Sequence, residues 1–175
     1  MLSRFWRVHA TFDDAFRNAA TVFPALTQLG VTVQVFVCTA FARNGDPLAI
    51  PELAGDDPKE LATMTWDELR GHADRGIAIA SHSVSHAHLT RLSDAELRDE
   101  LEGSKDELEA ELGQPCAELA YPYGEHDPRV REAARSAGYR RAYALRGPAS
   151  DPYSLPRVDL YRRHTPLRTF LRVLF

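Results

Sequence analysis

Three of the chain's seven histidines crowd one short stretch, Ser81-His82-Ser83-Val84-Ser85-His86-Ala87-His88. The apolar run before it, residues 76–80, reads as a short buried strand, so the imidazoles gather at a strand's C-terminal mouth. Neutral imidazole is the commonest nitrogen ligand for a metal. His82 and His86, at i and i+4, share a face if one helical turn separates them. The competing reading is a polar loop whose histidines hydrogen-bond locally, and a histidine pair without a carboxylate does not decide between the two. Carboxylates occur earlier, in Thr11-Phe12-Asp13-Asp14. Two adjacent ionised acids at a strand end repel each other and are penalised by burial, a cost that a cation relieves. One of them can ligate a metal with His82 and His86 while the other accepts a proton from an activated water. A two-histidine, one-carboxylate set leaves positions open for water and substrate, as hydrolytic metal sites require. Alternatively, Asp13 or Asp14 caps the helix that follows.

The elements that must position these groups alternate. Strands are expected over 7–12, 31–37, 77–80, 118–120, 139–145 and 155–160. A helix is expected from the Asp pair to residue 29, with Ala19, Val22, Phe23, Leu26 and Leu29 on its apolar side, Gly30 ending it, and Pro24 implying a kink or a late start. Thr65-Trp66-Asp67-Glu68 and Ser93-Asp94-Ala95-Glu96 are capping boxes. They open helices to Ala73 and to Gly113, the second with Leu97, Leu101, Leu108 and Leu112 on one face. Asp127 and Pro128 start a helix that Gly138 ends, and residues 166–175 read as a last helix. Residues 41–62, rich in Gly, Pro and Asp, read as a long loop over one rim. Strands alternating with helices imply a parallel sheet with right-handed crossovers, in which functional groups sit at the strands' C-terminal ends. The stretches 11–14, 81–88 and 121–127 all fall there.

With 175 residues the chain fits one domain, residues 1–175, of ordinary globular composition. A net charge of −4 and a pI near 6.0 give no electrostatic case for nucleic acid or an anionic membrane. No run approaches membrane-spanning length and no signal-peptide core is visible, so the cytoplasm is the default location, or the exterior if a leader was removed. Cys38 and Cys116 lack paired spacing and read as two buried thiols. Trp66, Tyr139 and Tyr143 are expected to pack in the core or at its rim, His9 and His72 to be structural, and residues 94–111 to present a solvated charged face.

Thr11-Phe12-Asp13-Asp14, then His82-Ser83-Val84-Ser85-His86, then Tyr121-Pro122-Tyr123-Gly124 resemble the first three motifs of the polysaccharide deacetylases, the NodB-homology group or carbohydrate esterase family four. The resemblance covers about residues 8–160, in order and spacing. It implies a distorted, often seven-stranded (β/α) barrel of the glycoside hydrolase/deacetylase type. About six strands are visible, so this barrel is expected to be open or short of an element. The resemblance further implies Asp13 as general base and Asp14, His82 and His86 as ligands of one divalent ion, usually zinc. Ser83 would support the histidine loop, Tyr123 would offer its backbone N–H to an oxyanion, and Pro122 would shape that turn. The implied reaction is hydrolysis of an N-acetyl (or O-acetyl) group on an N-acetylglucosamine-type sugar or polysaccharide.

Four departures stand out. The third motif's Arg is replaced by Ala120, and Arg157, in Leu155-Pro156-Arg157-Val158, resembles the Arg of a later motif that could take its place. Ala15 stands where Gly commonly follows the Asp pair. The late histidine motif supplying a general acid has no clean match, leaving His164 and His88 as stand-ins. The apolar C-terminal run, residues 170–175, suits packing on a partner, on a further segment or on the core. Two other functions stay open: hydrolysis of a small or cyclic amide on the same fold, and a non-catalytic member that binds sugar or a partner.

Overall fold

The structure, a computed structural model, describes residues 8–158 and 160. The expected helix over 166–175, His164 and the apolar run 170–175 lie outside the described residues. Six parallel strands form one sheet in the order β1 (His9–Phe12), β2 (Thr32–Val37), β3 (Ala78–Ser81), β4 (Glu118–Ala120), β5 (Arg141–Ala144) and β6 (Leu155–Pro156). Each strand pairs with its sequence neighbour and the order never reverses. The sheet therefore curls into a half-barrel, as expected, rather than spreading as a doubly wound sheet. β6 is only two residues long, shorter than the expected 155–160. Among the described residues no backbone pairing joins β6 to β1.

Helices cover the outer face. Trp66–Ala73 (here α3) and Asp94–Leu112 (α4) both start at complete capping boxes, from Thr65 and Ser93. Gly113 closes α4 in the left-handed conformation, at φ 65°. Pro128–Ser136 (α5) starts at Asp127, whose carboxylate accepts the Val130 N–H. The outward residues of β2, Val33, Val35 and Val37, join Leu69, Leu97, Leu101, Leu108 and Val130 in the main core. Inside the curl, Phe36, Ala80 and Ala120 form a smaller cluster with Tyr143. Both faces of β2 are thus covered, which is why its burial is continuous rather than alternating.

Two expectations are met only in part. After the Asp pair the chain makes a 3-10 turn, Arg17–Val22, and only then the short helix α1, Phe23–Gln28, with Pro24 in its first turn. The late start allowed by Pro24 is what occurs. The tighter turn breaks the 3.6-residue period, so Phe23 is buried while Val22 and Leu29 are 45% and 79% exposed. Residues 41–62 are a long loop over one rim, as expected, but an ordered one. They begin in the short helix α2, Thr39–Ala42, contain a 3-10 turn at Pro51–Leu53, and close on themselves where the Leu48 N–H donates to the Leu61 carbonyl at 2.9 Å. Leu48 is buried at the centre of this compact excursion.

Trp66 and Tyr139 are buried, and the Tyr139 hydroxyl donates to the Leu101 carbonyl at 2.9 Å. Cys38 and Cys116 are buried free thiols. His72 packs edge-on against Phe23, and His9 is exposed on β1. No helix among the described residues is long and apolar enough to cross a membrane.

Candidate active site

β1 ends at Phe12, and the chain then turns through two left-handed residues, Asp14 (φ 66°) and Ala15 (φ 52°). Ala15 keeps the backbone angle a glycine would adopt, at a cost of about 1–2 kcal/mol, and its methyl is buried in the main core. The turn is held from outside, where the Met64 N–H donates to the Ala15 carbonyl and the Arg17 N–H to the Ala62 carbonyl, each at 2.9 Å. Asp13 and Asp14 therefore project from the C-terminal end of β1.

β3 delivers the histidines. His82 continues the strand, its N–H donating to the Val37 carbonyl at 2.8 Å. Its Nδ1 lies 2.7 Å from the Ala120 carbonyl at the end of β4. A carbonyl only accepts, so Nδ1 carries the proton and Nε2 keeps its lone pair. The next residues do not form the helical turn expected between His82 and His86. Ser83 (φ 67°) and His86 (φ 61°) are left-handed, and the loop folds back so that the rings meet edge-on, centroids 5.0 Å apart. The Ser83 hydroxyl accepts the His86 N–H at 3.3 Å, and the first N–H groups of α2 donate to the Ser83 and Val84 carbonyls. From α4, Glu100 accepts the Val84 and Ser85 N–H groups, and Ser104 shares a 2.8 Å hydrogen bond with Ser81. Neither α4 residue was expected. The signal in the sequence is that Ser104 interrupts the stripe of Leu97, Leu101 and Leu108 at a core position, with Glu100 one turn before it.

The result is a convergence of three ligand atoms. Asp14 Oδ1 lies 3.6 Å from His82 Nε2 and 3.4 Å from His86 Nε2. Bonds of about 2.0–2.1 Å at tetrahedral angles place ligand atoms about 3.4 Å apart, so the spacing fits one ion of zinc's size. The electrostatics agree. Burial raises the Asp14 pKa against the pull of His82, and the neighbouring Asp13 carboxylate raises it further. A carboxylate in that position, facing the His82 lone pair and the His86 Nε2, is a donor set that suits a cation.

Asp13 is treated differently. Arg157, carried just past β6 and tied to β5 by its N–H on the Ala144 carbonyl, grips Asp13 with two parallel hydrogen bonds of 2.6 and 2.7 Å. The same guanidinium donates to the Thr11 hydroxyl at 3.1 Å and lies over the Phe36 ring. Burial alone would raise the Asp13 pKa, but His82, the Arg157 hydrogen bonds and charge, and His86 together bring it below the ordinary carboxylate value. Ala120 has no side chain to offer the site, but its carbonyl orients His82.

Tyr123 (φ 58°) and Gly124 (φ 65°) form the opposite wall on a 3-10 turn headed by buried Pro122. The Tyr123 ring packs on His86, centroids 4.5 Å apart, and stacks on His88 at 3.8 Å. His88 Nδ1 reaches Glu125 at 3.1 Å, so His88 stands behind the Tyr123 ring and does not line the cleft. A cleft of about 300 Å³ opens over Asp13, Asp14, His82, His86 and Arg157. Phe16, Leu145, and Ile50 and Leu53 from the 41–62 excursion give it an apolar rim. The expected residues Asp13, Asp14, His82, His86, Tyr123 and Arg157 are thus brought together, with Ser83 and Pro122 directly behind them.

A family model described as polysaccharide deacetylase matches residues 6–142. The chain belongs to the polysaccharide deacetylase family. Among its relatives in the family is a Bacillus subtilis (strain 168) protein named for it, YxkH, 24% identical over 131 residues. That match takes in 74% of this chain and 41% of the relative, so the chain spans about two fifths of its length. Solved polysaccharide deacetylase folds superpose well. Streptococcus pyogenes deacetylase PplD, in complex with acetate, gives a TM-score of 0.75 at 22% identity, covering 93% of this chain and 68% of that one. The polysaccharide deacetylase BC0361 from Bacillus cereus also gives 0.75, at 21% identity, with 93% of this chain and 50% of that one covered. Arg157 lies beyond the matched residues 6–142.

Proposed function

We propose that the chain is a metal-dependent hydrolase that removes N-acetyl groups from an N-acetylglucosamine-type polysaccharide, with Asp14, His82 and His86 as ligands and zinc as the ion. The observation that carries the reading is the division of labour between the two adjacent acids. Asp14 faces two imidazole nitrogens at 3.4–3.6 Å, while Asp13 is gripped by Arg157 at 2.6 and 2.7 Å. A binding module has no need to hold one acid ionised beside another that awaits a cation.

When bound, a divalent ion there supplies Lewis-acid polarisation of the acyl oxygen and acidifies water. The chain's own residues do the rest. His82, His86 and Asp14 would hold that ion at the base of the cleft, and so set where the acyl group is presented. Asp13, held in one orientation by the Arg157 fork, accepts the proton of the attacking water. The Tyr123 N–H, on the opposite wall, is the candidate donor to the developing oxyanion. The apolar rim of Phe16, Ile50, Leu53 and Leu145 excludes competing water and sheathes the acetyl methyl. The proton taken by Asp13 passes to the amide nitrogen as the C–N bond breaks, and acetate and a free amine leave.

The test is acetate release from N-acetylglucosamine oligomers by zinc-reconstituted protein, beside small and cyclic amides. Turnover of the oligomers, lost in His82→Ala together with bound zinc, is expected. Retained turnover in that variant would sink the metal role, and turnover confined to small amides would replace the substrate class.

A further inference from the structure

His82 and His86 are joined by three residues, and the last two, Val84 and Ser85, turn their N–H groups the same way. Both donate to a single oxygen, Oε2 of Glu100, at 2.9 Å each, while the Ser85 hydroxyl donates to Oε1. Consecutive N–H groups converging on one point make a small anion-binding concavity, and here the anion belongs to the chain itself. The neighbouring α4 carboxylates do other work: Asp94 pairs with Arg129, Glu107 with Arg43, Glu109 with Lys105 and Glu111 with Arg70, while Glu96 caps the helix at Ser93. Glu96 and Glu109 also accept one backbone N–H each, from Ser93 and Cys116, but Glu100 takes two, both from the segment between His82 and His86. α4 is a firm base for this, since Leu97, Leu101 and Leu108 are fully buried around the position.

We propose that Glu100 is a positioning residue for the metal centre. It holds the loop in its doubly left-handed form, so that His82 Nε2 and His86 Nε2 face Asp14 before any ion arrives. Ser104, one helical turn on, supports the loop's entry through Ser81, whose hydroxyl accepts the Ser83 N–H at 3.2 Å. This inference rests on the metal-site reading above. Groups behind the ligands of a metal typically change its affinity by about 10- to 100-fold when removed. A merely stabilising contact would instead lower the melting temperature of the metal-free chain and leave the affinity unchanged.

The experiment titrates zinc into chelator-treated wild type, Glu100→Ala, Glu100→Gln and the surface control Glu107→Ala by calorimetry. The visible absorption of the cobalt-substituted proteins reports ligand geometry. Glu100→Ala is expected to bind zinc at least about 10-fold more weakly, with an altered cobalt spectrum, while Glu107→Ala matches wild type. Glu100→Gln is expected within about threefold of wild type. Its amide oxygen can take both N–H groups while its NH₂ donates to the Ser85 hydroxyl. Wild-type affinity and spectrum in Glu100→Ala would overturn the proposal. Should Glu100→Ala not fold, Glu100→Asp decides by the same criterion, because a carboxylate one methylene short cannot reach both N–H groups. A wild-type chain that takes up no zinc overturns the site reading and this proposal together.

Discussion

Arg157 and Asp13 are separated by 144 residues and meet through two parallel hydrogen bonds. A lysine can place a charge there but cannot reproduce the fork. Arg157→Lys is expected to lower kcat/KM by about 10-fold and Arg157→Ala by about 100-fold, with zinc still bound, as measured by acetate release and metal content. Asp13→Asn, which removes the base and leaves the three ligands, should cost at least about 100-fold in kcat at little change in zinc affinity. The candidate ligand set was legible in part: residue type and spacing pointed to two histidines after one strand and two acids after another, and the choice of Asp14 over Asp13 was what the family resemblance implied. The partner of Asp13 was less so. Arg157 sits beside Val158 at the end of a weak strand, and which acid it meets depends on how far the sheet curls, which no local pattern encodes. Glu100 was hidden for a different reason, being one acid among many on a charged helix.

Elements with strong terminal chemistry were read closely. The capping boxes of Thr65 and Ser93, the left-handed Gly113 and the Asp127–Pro128 start each satisfy orphan backbone groups by local means, so sequence neighbours suffice to place them. The segment after the Asp pair has no such cap, and a 3-10 turn with a proline behind it took the place of the periodic helix. The Tyr123–Gly124 turn is equally tight. A Cβ on Gly124 would come within 2.3 Å of Leu145 Cγ, at a φ of 65° that side chains rarely adopt. Gly124→Ala is therefore expected to destabilise the chain by about 1–3 kcal/mol and to reduce turnover by displacing Tyr123, measured by denaturant unfolding and acetate release. Adding Leu145→Ala should restore only a small part of the loss, because it removes the Cγ contact but leaves the Leu145 Cβ and backbone N at 2.8 Å and the backbone angle unchanged.

At the scale of the molecule, ion binding and protonation both enter the stability. If zinc binds the folded chain alone, chelation should lower the melting temperature, with about 2.7 kcal/mol of stability removed from protein held at 100 times the Kd. His126 accepts from Arg131 at Nδ1 and meets Ser154 through Nε2. Burial, with Arg131 adding to it, holds its pKa below 6.5, and burial does the same for His72. Because the folded values lie below the unfolded one, the stability these histidines contribute is complete above about pH 6.5 and is lost as pH falls through the folded values. Wild type minus the His72→Gln/His126→Gln variant should accordingly show a stability difference that shrinks between about pH 7.5 and 5.5. A difference that grows on acidification would contradict the assignment.

The guanidinium of Arg157 touches Thr11 on the first strand while its backbone N–H is tied to Ala144 on the fifth, so one residue fastens the seam of the half-barrel. Breathing of that seam and release of the Asp13 carboxylate are consequently a single motion. On the proposed mechanism, any agent that loosens the curl, whether heat, denaturant or a distant core cavity, should idle the proposed base before the strands themselves part, making turnover an early gauge of how tightly the sheet is rolled.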